Sequence, residues 1–321
     1  MVPAIRARVG QSGLMPSCVV SVINYKGGVG KTTLTANLGA ELAARGRRVL
    51  LVDLDPQASL TLSFFTLDEF DELAKQNTVL QWFESFIAGG TAEPLRKYVV
   101  APTAVNKATG TNGGQLHLLA SHLGLIEIDL DLAASLGGSR FQQAHPRFLP
   151  VHRVLADALN DAAFDTYDVV LIDCAPNFNM VTRIGIVASD HLVIPARPDY
   201  LSTLGIDYLR ARLSRLVAEY GEVASAVAEA PIAPEILGVV YTMIQYAGPG
   251  ILLAQRQSME QVERIEIPAF RQTIRENKTA FTDAGNKNMP VVLAADRTPA
   301  MENLRYELQH LTSEFIAKTR V

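Results

Sequence analysis

The sequence predicts an α/β fold, a doubly wound and mostly parallel sheet flanked by helices. Three observations predict it. Continuous runs rich in Val, Ile and Leu recur along the chain, helical patterns separate them, and a glycine-rich turn joins the first run to the first helix. With 321 residues, 48% of them hydrophobic and 19% charged, the chain has apolar material for a large core and too little charge for general disorder.

The apolar runs are Cys18–Asn24, Arg48–Leu54, Gln115–Ala120, Asp168–Asp173, His191–Pro195 and Ile236–Met243. Because they are continuous rather than alternating, they predict strands buried on both faces. Helical patterns at Thr32–Ala44, Leu201–Tyr220 and Pro299–Lys318 lie between and after them, as right-handed βαβ crossovers require. Phe64 to Asn112 breaks the rhythm with acidic Asp68–Glu72, an aromatic cluster at Trp82, Phe83 and Phe86, and a Gly-, Thr- and Asn-rich stretch at Thr103–Gly114. That segment predicts a small helical insertion at about 64–114 ending in a flexible loop. The expected organisation is a flexible tail over 1–16 and one domain over 17–321.

A net charge of −4 and a pI near 5.9 exclude the strongly basic balance that would announce nucleic-acid binding, so any DNA contact needs a local patch. Cys18 and Cys174, the two cysteines, form neither a disulfide framework nor a CxxC motif, which fits a reducing cytoplasm. No apolar run reaches the length of a membrane span, and Arg6 and Arg8 are followed by no secretory apolar core.

After the first run comes Asn24-Tyr25-Lys26-Gly27-Gly28-Val29-Gly30-Lys31-Thr32-Thr33, leading directly into a helix. Glycines let the backbone approach an anion, successive N–H groups of the loop point inward, and the helix adds the positive end of its dipole. Gly27, Gly28, Val29, Gly30 and Thr33 are therefore expected to cradle phosphates. Lys31 is expected to hold the β- and γ-phosphates of ATP, and the Thr32 hydroxyl to ligate Mg²⁺. Tyr25 stands where GxxxxGK[ST] has its first glycine, and a second lysine appears at Lys26.

The second run ends in Val52-Asp53-Leu54-Asp55-Pro56-Gln57 and the fourth in Leu171-Ile172-Asp173-Cys174-Ala175-Pro176. Both carboxylate sites leave the C-terminal ends of buried strands, the edge where ligands bind in an open α/β sheet. Asp173 can orient the Mg²⁺ shell through water, with Asp53 a candidate for the layer behind it. Asp55, on the loop, can position the attacking water.

KGGVGKTT resembles the deviant Walker A box of the ParA/MinD superfamily, and DLDPQ and DCAP resemble its two switches, although Ala175 stands where the family more often has a second proline. Further similar segments run through Leu118–Ser121, Val193–Tyr200, Gly238–Met243 and Ile274–Asn277, nearly the whole chain after Ser17. The resemblance implies a slow ATPase that forms an ATP-sandwich homodimer, in which Lys26 reaches the partner's nucleotide. It places Arg275–Asn277 near the adenine, with Asn277 a base contact. It also implies a ParB-like or other cargo adaptor and a location on the nucleoid. About twenty residues precede the first strand, too few for a three-helix DNA reader, so the chain is most similar to the short, Soj-like members. Those are expected to bind DNA without sequence preference, here through Arg210, Arg212 and Arg215 on one helix and Arg271, Arg275 and Lys278 later.

Two other readings share this ATPase core. A MinD-like membrane switch would carry a basic amphipathic C-terminal helix; Leu304, Leu308, Leu311 and Phe315 form a stripe, but Glu302, Glu307 and Glu314 lie among the polar positions, so packing on the sheet and no stable membrane association are expected. A metabolic relative is the other, either a nitrogenase iron-protein-like reductase, for which the cysteines are poorly placed, or a dethiobiotin-synthetase-like ligase.

Overall fold

The computed structural model describes residues 17–137, 146–248, 250–264 and 266–321. The expected tail at 1–16 lies outside them. In chain order the elements are β1 (Cys18–Val22), α1 (Lys31–Ala44), β2 (Arg48–Asp53), α2 (Ser59–Leu62), α3 (Leu67–Gln76), α4 (Val79–Gly89), β3 (Val99–Val100), α5 (Thr103–Thr109), β4 (Gln115–Leu119) and α6 (Leu125–Ser135). They continue with α7 (Phe148–Ala158), β5 (Val169–Asp173), α8 (Met180–Ala188), β6 (His191–Ala196), α9 (Tyr200–Ala226), β7 (Glu235–Tyr241), the short β8 (Tyr246–Ala247) and β9 (Gly250–Ile251), α10 (Leu253–Glu263), α11 (Lys278–Asn286) and α12 (Pro299–Thr319).

Seven strands form one sheet in the order β3-β4-β2-β5-β1-β6-β7, parallel throughout except for β3 at the edge. All six predicted strands are present, each within a few residues of its run. Successive residues of a strand face opposite sides, so each strand feeds two cores. In β1, Val19 packs into the core beneath α6, α7, α8 and α9, whereas Val20 and Val22 pack against α1, α11 and α12. Residues Val49 to Val52 of β2 alternate the same way, and all four are fully buried. This two-sided burial is why the runs read as continuous rather than alternating.

The loop expected at Thr103–Gly114 is instead α5 followed by a short 3₁₀ turn. Its polar residues stabilise order: Asn106 donates to the Leu116 carbonyl and accepts from the Leu116 N–H, both at 2.8 Å, tying the helix to β4. The segment around it straddles the sheet edge. Val79, Trp82, Phe83 and Phe86 of α4 enter one core, Val105 of α5 enters the other, and β3 extends the sheet. The α12 stripe of Leu304, Leu308, Leu311 and Phe315 is buried against the sheet, as expected. Among the described residues no helix is long and apolar enough to cross a membrane.

Candidate nucleotide-binding site

Strand register builds the site. β5 lies between β1 and β2, with Asp173 level with Val22 on one side and Asp53 on the other. The loop leaving β1, residues 23–30, therefore runs beside both carboxylates, and α1 begins directly from it at Lys31. Gly28 and Gly30 have φ of +69° and +84°, conformations that a side chain would strain, and a Cβ on Gly27 or Gly28 would meet nothing within 4 Å. The inner side of the loop is open and lined by backbone. Tyr25 takes an ordinary negative φ, so the missing glycine costs no strain. Its ring turns away from the loop, stacking on Phe178 at 5.8 Å and tilting against Tyr208 at 4.9 Å.

Lys31 is buried, and its ammonium donates to the Lys26 carbonyl at 3.3 Å, so the loop curls around it. Desolvation pushes its pKa down, opposed by the neighbouring Asp173 and Asp55 charges. A buried cation facing an open cradle of backbone is a donor set suited to phosphate oxygens. The Thr32 hydroxyl donates to Asp173 at 2.7 Å, which leaves its oxygen lone pairs for a cation. Asp53 and Asp173 are both fully buried. Burial pushes Asp53 up to about 7, partly offset by hydrogen bonds from the Thr61 side chain and backbone; burial and the neighbouring Asp53 charge push Asp173 up to about 8. Two carboxylates paired with one lysine and one threonine hydroxyl fit a divalent cation, which would relieve both desolvation and mutual repulsion.

Asp55 sits on the loop after β2. Its N–H donates to Asp53 at 3.2 Å, its side chain accepts from the Gln57 N–H at 3.0 Å, and its carbonyl accepts from the Ser121 hydroxyl at 2.6 Å. The end of β4 thus braces the loop that carries Asp55. Thr61 joins the same brace, donating to Asp53 at 2.7 Å and accepting from the Ser121 N–H at 3.0 Å. One threonine in a short helix carries no sequence signal until the fold sets Thr61 under Asp53.

Beside the loop lies a cavity of about 320 Å³ whose walls include Gly30, Thr33, Thr242, Ile274, Asn277 and Phe281. It sets Arg275–Asn277, the segment expected near the adenine, across a cavity from Gly30 and Thr33 of the phosphate loop. Asn277 caps α11, its side-chain oxygen accepting from the Ala280 N–H at 3.1 Å. Thr242, to which sequence assigned no role, pins the loop by donating to the Val29 carbonyl at 2.8 Å.

A family model described as AAA domain matches residues 17–222, well over half of the chain. The chain is a ParA/Soj-like P-loop ATPase of that family. Soj of Bacillus subtilis, named a sporulation initiation inhibitor, is 26% identical over 88% of this chain and 94% of its own length. Relatives from Rhizobium rhizogenes and Methanocaldococcus jannaschii are 32% and 28% identical, but the matches span 45% and 63% of those proteins. Among solved structures, an ATP complex of Cyanothece McdA superposes with a TM-score of 0.68 at 19% identity, over 93% of this chain and 96% of that one. The ADP- and magnesium-bound cobyrinic acid a,c-diamide synthase of Mycobacterium smegmatis does so with 0.57 at 26% identity, over 84% and 91%.

The remaining assigned residues of this ATPase fall outside the phosphate cradle. The Lys26 ammonium is ion-paired with Asp199 of its own chain at 2.8 Å. Arg210 pairs with Asp207 at 2.8 Å and Arg215 with Glu219 at 2.5 Å, while Arg212 lies over the Phe178 ring at 5.6 Å. Arg275 is committed to buried Glu307 at 2.7 Å and packs over Tyr246, so its guanidinium braces the cavity wall. Lys278 is exposed, 3.5 Å from Glu276, and the backbone of exposed Arg271 donates to Glu314. Leu209, Leu213 and Leu216 of α9 pack into one core, whereas Phe270 and Ile274 pack into the other, so the two cationic segments belong to opposite layers. Cys18 and Cys174 lie at opposite ends of neighbouring strands, about 17 Å apart along them.

Proposed function

We propose that this ATPase hydrolyses Mg²⁺-ATP slowly and uses the ATP state to form a sandwich homodimer that tethers cargo to DNA. The observation that supports it most is the convergence of Lys31, Thr32, Asp173 and Asp55 around a loop that opens into the adjoining cavity. Lys31 binds the β- and γ-phosphates, the loop N–H groups hold the phosphate oxygens, and Asn277 contacts the base with its amide group. A magnesium ion held by Thr32, and by Asp173 through water, would neutralise charge developing on the phosphates. Asp55 orients the attacking water and accepts its proton. Asp53, bonded to Thr61 and the Asp55 N–H, fixes the geometry of that loop.

Lys26 is assigned to the partner's nucleotide, which makes the site complete only in the dimer. Arg210, Arg212 and Arg215 on α9 are assigned to DNA phosphates, with Arg271 and Lys278 on the opposite layer as a separate contact, and dimerisation doubles the number of each. A ParB-like adaptor would stimulate turnover and connect the cargo, which places the protein on the nucleoid. Light scattering of Asp55→Ala with Mg²⁺-ATP, with ADP and without nucleotide tests the switch. A dimer with ATP alone is expected; a monomer at micromolar concentration in all three states overturns it. A metabolic ligase is the second reading, carried by the likeness to the diamide synthase. A turnover rate that rises with duplex DNA separates the two, because a small-molecule ligase has no use for DNA.

A further inference from the structure

We propose that Asp199 is a latch that holds Lys26 within its own chain, so that the lysine must leave this carboxylate before it can reach a second copy. The inference rests on the sandwich reading above. Lys26 donates to both Asp199 oxygens, at 2.9 and 2.8 Å, and lies 3.3 Å from the Ser202 hydroxyl. The ammonium charge is thus satisfied in the single chain, at a position where a sandwich needs it for phosphate.

The latch is built into α9. Asp199 is the residue that caps this helix, and one of its oxygens also accepts from the Ser202 N–H at 2.8 Å. The carboxylate is therefore fixed by the helix it begins, at the positive end of the helix dipole. Burial works against its charge, but the hydrogen bonds from Lys26 and Ser202 leave its carboxyl below the ordinary range. Directly beyond the cap, Tyr200, Leu201, Leu204 and Tyr208 are more than half exposed, a large apolar strip beside Lys26. The sandwich would cover this strip in the same event that exchanges the Asp199 carboxylate for the partner's phosphate. Opening the latch leaves the Asp199 carboxylate without its ammonium partner, so ATP on the partner, rather than protein concentration alone, decides when the exchange is favourable.

Both groups are about a third exposed, at 31% and 38%, so solvent screens the pair and the latch sets a threshold rather than a block. It resists dimerisation by up to about fivefold per protomer, and two latches by up to about 25-fold. The test is the dimer dissociation constant with Mg²⁺-ATP, measured by sedimentation in an Asp55→Ala parent. Asp199→Asn removes the charge and keeps an oxygen for the Ser202 N–H; Asp199→Ser keeps the helix cap by a different route. Both are expected to tighten the dimer by about 5- to 25-fold and to leave ATP affinity of the monomer unchanged. In a Lys26→Ala parent the same substitutions are expected to shift nothing. An unchanged dimer constant in both variants overturns the latch alone, and a weaker dimer shows that Asp199 acts across the interface instead. A parent that stays monomeric with ATP overturns the sandwich and the latch together.

Discussion

The phosphate end of the sheet and the arginine face of α9 solve opposite problems. At the phosphate end Lys31, Asp53 and Asp173 are withdrawn from water, and each is held by named partners. On α9, Arg210 and Arg215 are exposed, and each lies against an acid three or four residues away. A buried group is positioned by the fold and interacts strongly, whereas an exposed pair contributes little and can exchange partners freely. The first arrangement suits chemistry, which requires fixed geometry. The second suits a reversible surface, and the proposed exchange of its own carboxylates for duplex phosphates would draw on that.

The sharpest break in this comparison concerns Asp55, which lies at the rim of the buried end on a braced loop. Asp55→Ala should lower turnover by about 10²- to 10⁴-fold while ATP affinity stays within a few-fold, as a water-positioning residue requires. Single-turnover hydrolysis beside calorimetric ATP binding checks it, and loss of binding would make Asp55 structural. Lys31→Ala removes the buried cation itself, so ATP affinity should fall by about 100-fold or more in the same calorimetry.

The exposed side is tested by Arg212→Glu with Arg215→Glu, which should weaken retention on random duplex by at least about tenfold. The log–log salt slope should also become shallower, by about 0.9 for each phosphate that the protein no longer neutralises, with the ATP dimer intact. Equal weak binding with ATP, ADP and no nucleotide would leave these arginines as a solvated helix face.

The smallest effect concerns pH. Asp53 and Asp173 are raised to about 7 and about 8, above the ordinary carboxyl value near 3.9. Within that window the folded chain holds protons that the unfolded chain has released, so stability falls as pH rises from about 5 to about 8. Without Mg²⁺ the melting temperature should drop between pH 6 and pH 8. Magnesium, which favours the ionised pair, should restore more of it at pH 8. A melting temperature that rises over this range would mean that the two carboxylates are ionised in the free protein.

Local pattern was enough for the strands, the phosphate loop and the two strand-end carboxylates. Strand burial on both faces writes itself into consecutive residues, and a phosphate cradle needs its glycines, lysine and threonine within one turn. The α12 stripe was legible for the same reason. Polarity misled at Thr103–Gly114, where Asn106 spends its amide on β4 rather than on water.

What tertiary structure alone decided is every interaction made across the sheet. Asp53 and Asp173 are 120 residues apart in sequence, and only the β2–β5 register sets them level. Thr61 reaches Asp53 and Thr242 reaches Val29 through folding alone, and Lys26 meets Asp199 because parallel β1 and β6 end at the same edge of the sheet. Sequence records what a residue is and which neighbours share its turn of helix or its strand. Which charge lies opposite it depends on how separate segments pack, and that is fixed by the cooperative burial of two cores against one sheet.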